Sequence, residues 1–182
     1  LLKGALSTFL LGQIAWHQIL ITLYFTKGVK KMNTAIIYTS KHHGNTKKVL
    51  EALQSKYQLT LIEVNKAKES DLAQYDLIGF ASGIYAFNFD PEIIKWVKEK
   101  LPLNRQGFLL YTYGIKGKNY SKSIEQALEQ KKAKIVGTFS CAGWNTFGPF
   151  KLVGGLSKGH PDSLDLQNAQ IFYQELLNNF GL

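Results

Sequence analysis

The stretch that most restricts this chain is Ala35-Ile36-Ile37-Tyr38-Thr39-Ser40-Lys41-His42-His43-Gly44-Asn45-Thr46, followed at once by Lys47-Lys48-Val49-Leu50-Glu51-Ala52-Leu53. An apolar run ends in a short turn carrying hydroxyls, histidines and a glycine. The turn opens into a segment in which Val49, Leu50 and Leu53 share one helical face. A strand that feeds such a turn leaves backbone N–H groups pointing away from the first turn of the helix. Those donors, the positive end of the helix dipole and the hydroxyls of Ser40 and Thr46 together suit an anion, and above all a phosphate. The plainer alternative is a strand–turn–helix junction with Gly44 as the tight turn and Asn45 as a cap.

The motif Ser40-x-x-x-Gly44-Asn45-Thr46, placed directly after a first strand, resembles the FMN-phosphate loop of the flavodoxin family. The commonest form there, Ser/Thr-x-Thr-Gly-x-Thr, is one residue shorter and has Thr where this chain has His43. The longer Ser-to-Gly distance is similar to flavodoxin-like oxidases of the protoporphyrinogen type. The resemblance runs from Met32 to the C-terminus. It implies FMN as cofactor, with Ser40, Lys41, His42, His43, Gly44, Asn45 and Thr46 around its phosphate.

The rest of the chain alternates strand and helix. A helix is expected over about 45–56, then an alternating strand near a sheet edge over 59–64. Leu77 to Ala81 is a continuous apolar run, as suits a parallel strand covered on both faces. Pro91 opens a helix running to Leu101, with Ile93, Ile94, Val97 and Leu101 at helical spacing. A buried strand over 108–112, a helix over 121–132, a last strand over 135–140 and a closing helix over 163–178 follow. In that last helix Leu166, Ala169, Ile171, Phe172, Leu176 and Leu177 supply the apolar face. Five strands alternating with helices predict an α/β doubly wound parallel sheet. The expected strand order is 2-1-3-4-5, the order of flavodoxin itself, with the ligand beyond the carboxyl ends of strands one and three.

Two further loops would complete the site. The first is Ser82-Gly83-Ile84-Tyr85-Ala86-Phe87-Asn88-Phe89-Asp90. Aromatic side chains at a strand end suit stacking on a planar ring, and Gly83 lets the backbone approach the ring's edge. Tyr85 is expected at the ring; Phe87 and Phe89 either join it or pack under the next helix. The resemblance further implies that the Gly83 peptide answers reduction of the ring's central nitrogen. The second is Thr112-Tyr113-Gly114-Ile115-Lys116-Gly117-Lys118-Asn119, whose glycines and hydroxyls fit donors to the ring's carbonyls. Lys116 and Lys118 stand where acidic residues are common in flavodoxins, so positive charge there favours a reduced, anionic ring. The site set is therefore Ser40 to Thr46, Ser82, Gly83, Ile84, Tyr85, Thr112, Tyr113 and Gly114, with no catalytic acid or base and no metal. Cys141 to Pro161 is too long for a simple connection and suits a lid or a docking surface.

A chain of 182 residues, 45% apolar, suffices for one packed domain. Its single cysteine, Cys141, excludes an internal disulfide and fits a reducing cytoplasm. The formal charge is +9, but one Arg, Arg105, and no basic run interleaved with aromatics argue against nucleic acid. His42 and His43 are adjacent and His17 and His160 isolated in sequence, so no metal is expected. Residues 5–25 carry no charge. They read either as a membrane anchor or, with Lys27-Gly28-Val29-Lys30-Lys31 encodable as a ribosome-binding sequence before Met32, as translated leader. The leader is the preferred expectation, giving an extension over 1–31 and a domain over 32–182. The expected function is electron transfer between redox partner proteins. An FMN-dependent oxidoreductase acting on NAD(P)H and quinone, or on a porphyrin, is the alternative, and a domain that has lost FMN the third reading.

Overall fold

The computed structural model describes residues 32–117 and 119–180. The 1–31 extension, with its leader or anchor reading, and Lys118 lie outside the described residues. Parallel strands β1 (Thr34–Tyr38), β2 (Thr60–Glu63), β3 (Leu77–Tyr85), β5 (Gln106–Tyr113) and β6 (Lys134–Ala142) form one sheet in the order β2-β1-β3-β5-β6. This is the expected 2-1-3-4-5 order with one addition. The two-residue β4 (Asn88–Phe89) pairs antiparallel with the end of β3, making six strands instead of five. Among the described residues, four α-helices cover the sheet: α1 (Asn45–Gln54), α2 (Pro91–Lys100), α3 (Lys122–Gln130) and α4 (Ser163–Phe180).

The two faces of the sheet are filled by two separate cores, as alternation along a strand requires. Ile37, Ile78, Phe80 and Leu109 pack with Ile93, Trp96 and Val97 of α2 and with Ile124 and Leu128 of α3. Their neighbours Ile36, Leu77, Phe108 and Leu110 pack with Leu50 and Leu53 of α1 and with Ala169, Tyr173 and Leu176 of α4. Each Ile, Leu, Val or Phe among them, fully withdrawn from water, contributes roughly 1.5–3 kcal/mol. In α4 the spacing 166, 169, 173, 176 carries the contact. Tyr173 is 1% exposed, whereas Ile171, expected on that face, is 49% exposed. Where β3 and β5 pass closest to their neighbours only glycine fits: a Cβ on Gly79 would lie 2.6 Å from Cζ of Phe108, and one on Gly107 2.6 Å from the Ile78 carbonyl oxygen.

The segment expected as a loop after β3 is instead a hairpin. β3 continues four residues past Ala81, turns through Ala86 and Phe87, both at positive φ (47° and 63°), and returns as β4. Two positive φ values are what a two-residue hairpin turn demands, but the usual Asn-Gly or Gly-Gly signal is absent. Among the described residues, no helix is long and apolar enough to cross a membrane.

Candidate functional site

β1 ends at Tyr38, and the turn 39–44 delivers the chain to the N-terminus of α1 between β1 and β3. Gly44 adopts the left-handed conformation there (φ 67°) with nothing within 4 Å of an added Cβ. The hydroxyl of Ser40 accepts from the amide of Lys47 at 3.1 Å and so caps the helix from seven residues upstream. Asn45, the alternative cap, instead donates from Nδ2 to the Trp144 carbonyl at 2.8 Å. Thr46 Oγ1 and Thr112 Oγ1 pair at 3.0 Å in a buried contact that ties α1 to β5.

The turn's amides converge on an oxygen. The Tyr85 hydroxyl accepts from the Lys41 amide at 3.0 Å, and the backbone of His42 also favours its ionised form. Burial outweighs these donors and raises the Tyr85 pKa above the ordinary phenol value. Gly83 makes the arrangement possible, because a Cβ there would meet the Tyr85 hydroxyl at 2.8 Å.

Lys41 itself turns away from the site. Its Nζ lies 2.9 Å from Asp90 and 2.7 Å from Glu92. Burial works against its charge, and hydrogen bonds to Glu92 and Asp90 more than offset this, so its pKa is raised. Asp90 is a hub that the sequence reading passed over. Fully buried, it accepts from Thr39 Oγ1 at 2.9 Å and caps α2 through the Glu92 amide at 2.9 Å. Its own amide donates to Ser82 Oγ at 3.0 Å, so Ser82 belongs to this buried network.

Beside the turn lies a cavity of about 400 Å³, open at one side and largely apolar. That volume is within the usual range for small-ligand pockets. Of the expected site residues, His42, Asn45, Thr46, Gly83, Ile84, Tyr85, Thr112, Tyr113 and Gly114 line it. Ser40, Lys41, His43, Gly44 and Ser82 stand outside its wall, in the capping and ion-pair roles just given or against the final loop. Of the aromatics held in the balance, Phe87 lies at the cavity's edge, 73% exposed, and Phe89 is fully buried under α2.

The remaining wall comes from Ala86, Ile115 and Tyr120 and from the long final loop, through Gly143, Trp144, Asn145, Phe147 and Phe150. This loop is fastened to the β1–α1 turn. His43 stacks on Trp144 (4.0 Å between centroids, 20° between planes), and His43 Nε2 pairs with Thr146 Oγ1 at 2.8 Å. The Thr146 amide donates to His42 Nε2 at 3.4 Å, and Lys48 Nζ donates to the Pro161 carbonyl. Burial, and then the neighbouring His43, lower the His42 pKa and so favour the neutral ring, the form that can accept from the Thr146 amide. A signal for this wall was present in the aromatic content of 144–150, but nothing local said which turn it would meet.

His160 is not isolated in the fold. Its Nδ1 lies 2.6 Å from Asp165 Oδ2, in a group with Asp162. Asp162 and Asp165 exchange backbone-to-carboxylate hydrogen bonds at 2.9 Å, which caps α4 and accounts for both carboxylates.

Residues 35–145 match the flavodoxin domain family. The chain is 33% identical over 150 residues to an uncharacterized protein of Methanocaldococcus jannaschii, covering 81% of this chain and all of that protein. Solved structures with the same fold include a flavodoxin from the domain Archaea (18% identity, TM-score 0.60, 81% of this chain and 98% of that one). An NADPH-quinone reductase from P. pentosaceus also shares it (13% identity, TM-score 0.55, 80% and 98%).

Proposed function

This chain belongs to the flavodoxin domain family, and from that premise we propose that it binds flavin mononucleotide and carries electrons between redox partner proteins in the cytoplasm. One observation carries the reading: backbone amides of the β1–α1 turn converge on an oxygen acceptor at the lip of an aromatic-walled cavity. The Tyr85 hydroxyl stands where a phosphate oxygen would be received, so the residues fit the group once that side chain swings aside. Flavin mononucleotide supplies one- and two-electron transfer when bound.

The chain's part is to hold and shield. The amides of the β1–α1 turn take the phosphate. Gly83 and Gly114 keep the strand ends slim enough for backbone to approach a ring edge. Tyr113, Tyr120 and Trp144 offer planar apolar walls that exclude water. No acid or base is assigned, because electron transfer needs none. A second reading, an FMN-dependent oxidoreductase acting on NAD(P)H and a quinone or on a porphyrin, is favoured by the room under Phe147 and Phe150 at the open side.

The absorption spectrum of the purified full chain, followed by titration with flavin mononucleotide, tests the common premise. The expected outcome is a yellow protein, or quenching of added flavin fluorescence with one-to-one stoichiometry. A colourless protein that leaves flavin fluorescence unchanged refutes it. Fast quinone-dependent oxidation of NAD(P)H by the loaded protein favours the enzyme over the carrier.

A further inference from the structure

The open side of the cavity is rimmed by the β3–β4 hairpin, the loop after β5 and the final loop. Each puts a large apolar side chain into solvent: Phe87 at 73%, Ile115 at 45% and Phe147 at 77% exposure. The 3₁₀ segment Gly148–Val153 carries the apolar surface outward, with Leu152 at 89% and Val153 at 74%. Apolar surface gathered at one place in this way marks an interaction site.

The charges within these loops have one sign. Lys116, Lys151 and Lys158 are exposed in these loops. Neither 113–121 nor 141–161 contains an acid, and Asp90, at the hairpin's foot, is fully buried. An apolar tip with a collar of lysines matches an anionic lipid surface: side chains enter the acyl boundary while ammonium groups meet headgroup phosphates. Protein interfaces, by contrast, are enriched in Arg and depleted in Lys, and here every exposed rim cation is Lys. We propose that this rim docks the protein on anionic phospholipid bilayers, with the Gly148–Val153 turn inserted and the cavity mouth facing the membrane. The inference is independent of what the cavity holds.

The test is flotation of the full chain with vesicles of phosphatidylcholine alone or containing phosphatidylglycerol, with hydrogen exchange read along the chain. Expected are binding only to the anionic vesicles, weakening with salt, and slowed exchange over 147–153. Lys151→Glu with Lys158→Glu should weaken binding about 25-fold or more, at about fivefold for each lysine lost. Leu152→Ser with Val153→Ser should weaken it about tenfold, and neither pair touches a buried residue. Since 5–25 is itself apolar, binding that ignores both pairs of substitutions belongs elsewhere in the chain and overturns the proposal. So does slowed exchange over 147–153 produced by poly-glutamate but not by vesicles, which would point to an acidic protein.

Discussion

Removing one oxygen, in Tyr85→Phe, separates the two roles open to this side chain. The hydroxyl now holds the Lys41 amide, and under the proposed function a phosphate would have to displace it. Deleting a hydrogen bond of ordinary net worth, about 1 kcal/mol, should tighten flavin mononucleotide binding about fivefold while leaving riboflavin, which lacks the phosphate, unchanged. Fluorescence quenching titrations with both flavins check this. Weaker binding of both would mean that Tyr85 acts as a ring contact alone. The same residue marks a limit of reading residues from a string. That Tyr85 lies near the cavity was legible from its place at the end of a buried strand. That its hydroxyl folds back onto the β1–α1 turn depends on the positive φ values of Ala86 and Phe87, which no local pattern announces.

Between elements, the fastening of the final loop to the β1–α1 turn should respond to pH. His42 is held below its ordinary pKa of 6.5 by burial and by His43, so the unfolded or unlatched chain binds more protons there. The latch is therefore fully present above that ordinary value and lost as pH falls through it towards the lower folded value. Protonation also removes the acceptor that Thr146 uses, a contact of about 1 kcal/mol. Limited proteolysis within 141–161 should accelerate about fivefold between pH 7.5 and pH 5.5, and His42→Gln should flatten the response. The elements were legible to different degrees. β1, β3 and β5 and the helix beginning at Pro91 follow from unbroken apolar runs and from helical spacing after a proline. The two-residue β4 and the wall supplied by 143–150 do not, because both are fixed by partners distant in the chain. Asp90 was hidden for a similar reason: Thr39, Lys41 and Ser82 reach it only in three dimensions.

For the molecule as a whole, the doubly wound order was readable because alternation of type leaves few ways to cover a parallel sheet on both faces. The finished sheet offers a reporter of its own integrity. Cys141, near the end of β6, is 5% exposed, and burial, then Asp165 and Asp162, push its thiol up to about 12. Against a reference thiol at 9.0, the native protein should react with a thiol reagent at pH 8 about a thousandfold more slowly. The rate should rise to the free-thiol value only as denaturant opens the sheet. Rapid native labelling would show that the β6 edge opens locally. The carboxylate of Asp90 has a consequence for how such a molecule receives a guest. It rivets the tip of one strand, the return of a hairpin and the start of a helix at a single point beneath the doorway. The floor therefore stays put, and accommodation falls to one swinging phenol ring and to the flap hooked on by histidines.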